Sequence, residues 1–325
     1  MNIERQKIFG RESHDARAIN IAFGVDAPFV PMMGICISSI FKNNPAQIFS
    51  FHIFLDSIDE RDELKISELC KQSPAAQITL YFLPSDLHKE FYLEGSYTRA
   101  VFYRITAAEF LASALDKIIY MDADMLCLKP LDELFNLPLE ENLLAAVADK
   151  GEWLPLHRNE LGLSENYRYF NTGLLCLNLK LWHDEKIYEQ VIEILSRGKF
   201  PFVDQDAMNI AVARNNYGVK YISDRYNHFF RLDGVELPLT DDVAIEHFAG
   251  QIKPWHAWCE SPAKEIYETY QKNSPWHDFV YRPRNYQEHR LMGRVCRREG
   301  NWLEALKWYW SYLKRRRVEK KSKRG

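Results

Sequence analysis

The chain has 325 residues, 46% of them hydrophobic and 27% charged, with a formal net charge of −3. This is the composition of a folded, soluble protein, long enough for one large α/β core and a small appendage. Residues 1–17 are polar and lack an apolar signal core, and no stretch approaches the apolar length of a membrane span, so neither export nor membrane spanning is expected. Six cysteines (Cys36, Cys70, Cys127, Cys176, Cys259 and Cys296) are scattered without a Cys-x-x-Cys pair. Four of them fall in apolar runs, which predicts reduced, buried thiols in a cytoplasmic protein. The charge is unevenly spread. From Arg282 onward stand 15 Lys and Arg against 4 Asp and Glu, an excess of +11 that leaves −14 for the rest.

In chain order, residues 18–23 read as a first strand closed by Gly24, and 32–42 as a helix with Pro31 at its start. Residues 48–55 form a second strand, 60–71 an amphipathic helix, and 77–83 a third strand stopped by Pro84. A helix over 101–115 then leads into a strand over 117–121. This alternation is the signature of a sheet covered by helices on both faces. Further on, strands are expected at 143–148 and 173–179, helices at 181–197 and 204–214, and short strands at 219–222 and 243–247. The whole is a mixed sheet with a less regular second half.

The densest chemistry begins where the strand over 117–121 ends. Asp122 and Asp124 stand one residue apart, and strand alternation would turn both carboxylates to one side. At the carboxyl end of a central strand, that side is the crevice where open α/β sheets bind ligands. Such a pair offers oxygen ligands to a hard divalent cation able to grip a diphosphate; the competing reading is a turn that merely favours Asp. Far downstream, His247 ends another predicted strand within His-Phe-Ala-Gly-Gln-Ile-Lys-Pro-Trp-His (247–256). Two carboxylates and one imidazole suit manganese or magnesium, with positions left for phosphate oxygens. Gly250 permits close backbone approach to a phosphate, and Lys253 follows it. Asp204 and Asp206 (in 202–209) fall at a helix start, where dipole and capping alone favour acids. Asn171, in Tyr-Phe-Asn-Thr-Gly (169–173), either hydrogen-bonds sugar hydroxyls or makes a turn. Arg104 lies in an apolar helical segment and is too costly to bury without an anionic partner.

Taken in order, these motifs resemble glycosyltransferase family 8, especially the bacterial enzymes that add glucose or galactose to the lipopolysaccharide core. The resemblance rests on Ala-Phe-Gly-Val-Asp-Ala-Pro-Phe (22–29), Phe-Tyr-Arg-Ile (102–105), Tyr-Met-Asp-Ala-Asp (120–124), Tyr-Phe-Asn-Thr-Gly (169–173), Asp-Gln-Asp (204–206) and residues 247–256. It implies a GT-A fold, a Rossmann-like mixed α/β sheet that binds a UDP-sugar (UDP-glucose or UDP-galactose) and Mn2+, with Mg2+ as the alternative. The expected division is an N-terminal arm (1–17), a GT-A catalytic domain (18–275) and a basic, aromatic, helical C-terminal region (276–325).

By the same resemblance Asp122, Asp124 and His247 are metal ligands, and Asp122 also touches the ribose. Gly250 and Lys253 hold the diphosphate, and Asp26 and Phe29 contact the uridine. Arg104, Asn171, Asp204 and Gln205 surround the donor sugar, and Asp149 faces the acceptor. Where the family commonly carries two adjacent acids, this chain has Val25-Asp26, and Phe29 can stack but lacks a tyrosine hydroxyl. The family retains anomeric configuration, which implies an α-glycoside. Gln205 is the residue nearest the place of a nucleophile, and an amide is a poor one. Same-face attack is therefore expected, with the departing phosphate taking the acceptor's proton and Asp204 orienting sugar hydroxyls.

Residues 285–317 suggest two helices broken at Gly300-Asn301. Trp302, Leu306, Tyr309 and Leu313 share one face, which Leu303 and Trp310 widen. The stretch from Gly300 to Tyr309 also resembles part of one tetratricopeptide unit, which cannot bury its own apolar face. Three readings stand: packing on the catalytic domain, an interfacial helix on an anionic membrane flanked by Arg315–Arg317 and residues 320–324, or nucleic-acid binding on charge alone. A lipopolysaccharide core acceptor at the inner face of the bacterial inner membrane favours the second, a peripheral cytoplasmic location with no nucleic-acid partner. The alternatives are a relative acting on a soluble glycan or protein, and a non-catalytic nucleotide-sugar-binding protein. The basic tail argues against the first, and the Asp122, Asp124, His247 and Lys253 set against the second.

Overall fold

The structure is a computed structural model that describes residues 3–11, 15–93, 95 and 97–322. Its strands are β1 (Arg5–Gly10), β2 (Ile19–Gly24), β3 (Phe49–Leu55), β4 (Gln77–Phe82), β5 (Lys117–Met121), β6 (Met125–Cys127), β7 (Leu144–Ala148), β8 (Phe170–Asn178), β9 (Val219–Tyr221), β10 (His228–Phe229), β11 (Arg231–Leu232), β12 (Val235–Glu236) and β13 (Ile245–His247). Its helices are α1 (Val30–Asn43), α2 (Glu60–Leu69), α3 (Tyr103–Leu111), α4 (Asp132–Phe135), α5 (Leu154–Glu160), α6 (Leu179–Asp184), α7 (Ile187–Arg197), α8 (Val203–Asn215), α9 (Ala263–Lys272), α10 (Tyr286–Arg298) and α11 (Trp302–Ser322). Two compact units emerge, Met1–Ala249 with Asn273–His277, and Gly250–Lys272 with Asp278–Gly325.

The first unit is built on an eight-stranded sheet in the order β1-β4-β3-β2-β5-β8-β7-β9. β4, β3, β2 and β5 run parallel, so they are covered on both faces and read as continuous apolar runs such as Phe-Ser-Phe-His-Ile-Phe-Leu in β3. The chain leaves β2 for β3 and β4 on one side, then returns to β5 on the other. Between β2 and β5 the direction of winding reverses, which opens a crevice at their carboxyl ends. β8 pairs antiparallel with β5, Met121 opposite Leu174, and this sets residues 170–173 beside the end of β5. A second small sheet, β10-β13-β6, places His247 opposite Met125.

Several expectations change. Residues 5–10, grouped in the sequence with an N-terminal arm, form the antiparallel edge strand of the main sheet. The helix expected over 181–197 is two helices, because Lys186 between them has a left-handed backbone (φ 53°). The helix expected over 101–115 starts as a 3-10 turn, Arg99–Phe102, and ends at Leu111. Asp122 and Asp124 lie beyond β5, in the turn before β6, so strand alternation does not align them. All six cysteines are buried and free.

α1 is buried along nearly its whole length, Val30 to Phe41. Its Gly34 is there for contact: a Cβ would lie 2.0 Å from Cζ3 of Trp276. The Trp276 ring is 1% exposed and its Nε1 donates to Asp62 Oδ1 at 2.7 Å.

In the second unit, α10 and α11 form a hairpin that turns at Gly300 (φ 78°). His289 packs edge-on to Trp308, Tyr286 meets Tyr312, and the Tyr309 ring lies where a Cβ on Gly293 would sit. Tyr309, which helical spacing groups on one face with Trp302, Leu306 and Leu313, thus turns to α10. Trp302, Leu303, Leu306, Trp310 and Leu313 stay 49–76% exposed. Residues 250–272, assigned from sequence to the catalytic region, cluster with these helices. Among the described residues, no helix is long and apolar enough to cross a membrane.

Replacing a helical glycine by alanine ordinarily stabilises by up to about 1 kcal/mol. At Gly34 the Trp276 ring reverses the sign. Gly34→Ala is expected to lower the melting temperature, and to stop doing so in a Trp276→Ala background, itself weakened by about 3–5 kcal/mol. Thermal denaturation of the four proteins checks this cycle.

Candidate active site

Asp122, Asp124 and His247 converge within the first unit, each offering a ligand atom, all within 4.8 Å of one another. The tight turn from β5 to β6 supplies the carboxylates. The β6–β13 pairing brings His247 across to Asp124, with Nε2 3.4 Å from Asp124 Oδ1. Phe248 N–H donates to the Asp124 carbonyl at 2.9 Å, which fixes the two segments together. Gly173 of β8 floors the site. A Cβ there would lie 2.5 Å from His247 Cε1, so the imidazole rests on bare backbone. Two carboxylates and an imidazole nitrogen fit a hard divalent cation such as manganese or magnesium.

Arg104 meets the condition set by its sequence context. Its side chain is 7% exposed, with Nη2 3.0 Å from Asp122 Oδ1 and Nε 2.6 Å from Asp204 Oδ2. It also donates to the Thr172 carbonyl and lies over the Tyr120 ring. Burial pushes the Asp204 carboxyl up to about 7; Arg104 pulls it down, while Asp122 and Asp206 add to the rise.

At the start of α8 the neighbouring acids part company. Asp206, inside the first turn, reaches back to the N-cap residue: its Oδ2 accepts from Phe202 N–H at 2.9 Å. Its Oδ1 meets His157 Nε2 at 2.7 Å and the Tyr169 hydroxyl at 2.5 Å, with no solvent exposure. Asp204 instead faces Arg104. Between them Gln205 turns toward β8. Its Oε1 accepts from Thr172 N–H at 3.1 Å and Asn171 Nδ2 at 3.0 Å, and its Nε2 donates to Asp149 Oδ2 at 3.0 Å. Burial raises the Asp149 carboxyl, opposed by hydrogen bonds from Lys150 N–H, Asn171 and Gln205.

The structure therefore brings together Asp122, Asp124, His247, Arg104, Asn171, Asp204, Gln205 and Asp149. Asp26 follows β2 at the head of the 3-10 turn Ala27–Phe29, on the same crevice edge, with Phe29 half-buried. Gly250 and Lys253 belong to the second unit. There Gly250 has a left-handed backbone (φ 93°) with open space about it, and Lys253 N–H donates to His256 Nδ1. Sequence reasoning missed Thr172, Asn227 and the His157–Tyr169 anchor of Asp206. Thr172 was in view inside a motif, but nothing in the sequence marks Asn227.

Arg104→Met removes the cation that Asp122 and Asp204 share. A loss of about 3–5 kcal/mol is expected in urea unfolding. A variant as stable as the wild type would contradict the pairing.

The chain is 29% identical over 320 residues to the lipopolysaccharide 1,3-galactosyltransferase of Salmonella typhimurium, covering 94% of this chain and 93% of that one. Against a lipopolysaccharide 1,2-glucosyltransferase of Escherichia coli K12 the identity is 29% over 275 residues, 81% and 80% of the two chains. Among solved structures, galactosyltransferase LgtC in complex with donor and acceptor sugar analogues gives a TM-score of 0.66 at 22% identity, over 79% of this chain and 96% of that one. That likeness gives the fold, the expected GT-A-type mixed sheet. The family described as Glycosyl transferase family 8 matches residues 20–259. This chain belongs to glycosyl transferase family 8.

Proposed function

We propose that this protein is a retaining glycosyltransferase that moves glucose or galactose from a UDP-sugar to the lipopolysaccharide core oligosaccharide, with a divalent cation, manganese or magnesium, at Asp122, Asp124 and His247. The convergence of those three ligands beside Arg104, Asn171 and Gln205, in a family 8 chain, carries this reading. The relatives named as lipopolysaccharide galactosyl- and glucosyltransferases, matched over most of their length, support the acceptor class.

In this reading the cation, when bound, offsets charge that builds on the departing diphosphate. Asp26 and Phe29 hold the uridine. Asn171, Asp204 and Arg104 orient the donor sugar, and Asp149 faces the acceptor. Gln205 presents an amide whose oxygen already accepts from Thr172 and Asn171. Its position thus suits holding the sugar face rather than attacking it. Asp204 is tied to Arg104, which favours an orienting role for it as well. The attack then comes from the acceptor hydroxyl on the face that the leaving group departs, and its proton passes to the leaving phosphate.

The C-terminal hairpin supports a peripheral site on an anionic inner-membrane surface, from the cytoplasmic side. Lys307 and Lys314 border the exposed row of Leu303, Leu306, Trp310 and Leu313, and Arg315–Arg317 follow it.

Purified protein supplied with UDP-glucose or UDP-galactose and truncated core acceptors should transfer one of the sugars in Mn2+ and lose turnover in chelator. Asp124→Asn should be inactive with an unchanged circular dichroism spectrum; full activity in chelator would remove the metal from the account. In sedimentation with anionic vesicles, the pair Leu306→Glu and Trp310→Glu should leave most protein in the supernatant. Equal binding of variant and wild type would reject the tail as an anchor.

A further inference from the structure

Asn227 has no place in the sequence motifs, is 3% exposed, and sits between the 3-10 turn Asp224–Tyr226 and β10, next to β13. It joins the candidate metal ligand to the donor-sugar amides: Oδ1 lies 2.7 Å from His247 Nδ1, and Nδ2 donates to Asn171 Oδ1 at 2.8 Å. The direction of every bond in this chain is fixed by two backbone N–H groups that cannot reverse. Gly173 N–H donates to Asn171 at 2.9 Å, so that end of the Asn171 amide is its oxygen. Thr172 N–H donates to Gln205 at 3.1 Å and fixes the Gln205 oxygen likewise.

The consequence runs outward from these anchors. With its oxygen held by Gly173, Asn171 can receive from Asn227 only the amide nitrogen. The Asn227 oxygen is then left to face His247, and Nδ1 of the imidazole must carry a hydrogen to meet it. The lone pair of the neutral ring therefore falls on Nε2, the atom 3.4 Å from Asp124 Oδ1. An acceptor facing a carboxylate calls for positive charge between them.

We propose that Asn227 is a positioning residue for the cation site: it fixes His247 in the Nδ1–H tautomer and aims Nε2 at the cation. This rests on the cation site of the proposed function. A group that orients a metal-bound histidine through its other ring nitrogen typically contributes about 10–100-fold in metal affinity. The same amide binds Asn171, so ligand and donor-sugar residues are set by one polarity chain.

The test uses the full-length protein without substrate. Mn2+ binding is followed by electron paramagnetic resonance, and the histidine tautomer by 15N NMR of metal-free protein above the imidazole titration. Asn227→Ala should bind Mn2+ about 10–100-fold more weakly and lose the fixed Nδ1–H signature of His247. Asn227→Asp keeps an acceptor for Nδ1–H while giving up the donor to Asn171, and should recover both readouts toward wild type. The proposal is overturned if Asn227→Ala keeps wild-type Mn2+ affinity and tautomer, or if Asn227→Asp is as impaired as Asn227→Ala in both. A wild type that binds no Mn2+ would refute the cation site itself, and the tautomer readout would still decide the role of Asn227.

Discussion

A single buried guanidinium organises the site. Arg104 projects from α3 to the turn after β5, the first turn of α8 and the carbonyl of Thr172 in β8. These four segments come from distant parts of the chain, and no apolar contact would hold three polar ends together with the same direction. Burying one cation is tolerable because two carboxylates share it and its Nη1 finds a carbonyl. With Arg104 held, Asp122 is drawn to one side of the crevice and Asp204 is sealed beneath it.

The rest follows from neighbouring constraints. β8 runs antiparallel to β5, so its first residues, Asn171 to Gly173, lie beside Asp122. Gly173 leaves room for the His247 ring, and its N–H fixes the Asn171 amide. Asp206, held by His157, Tyr169 and Phe202, secures the helix end from which Gln205 reaches the same amide. The Asp122, Asp124 and His247 cluster and the Asn171 and Gln205 amides are thus one connected polar surface, and a change at either is felt at the other.

Much of this was legible in the chain. The apolar runs of β2 to β5 mark buried parallel strands, and Arg104 in an apolar helix demanded an acid, which the fold supplied twice. The partnership of Asp122, Asp124 and His247 was readable from their positions at strand ends, although the tight turn into β6, rather than strand alternation, aligns the two acids. What could not be read depends on contact across long separations. β1 is a polar strand whose pairing comes only from the β4 edge. Lys186 breaks a helix that its apolar periodicity would continue. Tyr309 turns inward because Gly293 opens space for it on α10. Asn227 carries no local signal at all, since its role comes from β10 lying beside β13.

Asp122, Asp124 and His247 are proposed to hold a cation that grips a nucleotide diphosphate. The most direct measurement is 31P NMR of UDP titrated with Mn2+ in the presence of the protein. Strong paramagnetic broadening of both phosphates is expected with the wild type at Mn2+ levels too low to broaden free UDP, and its loss with Asp124→Asn. Equal broadening with the two proteins, or none with either, would contradict it.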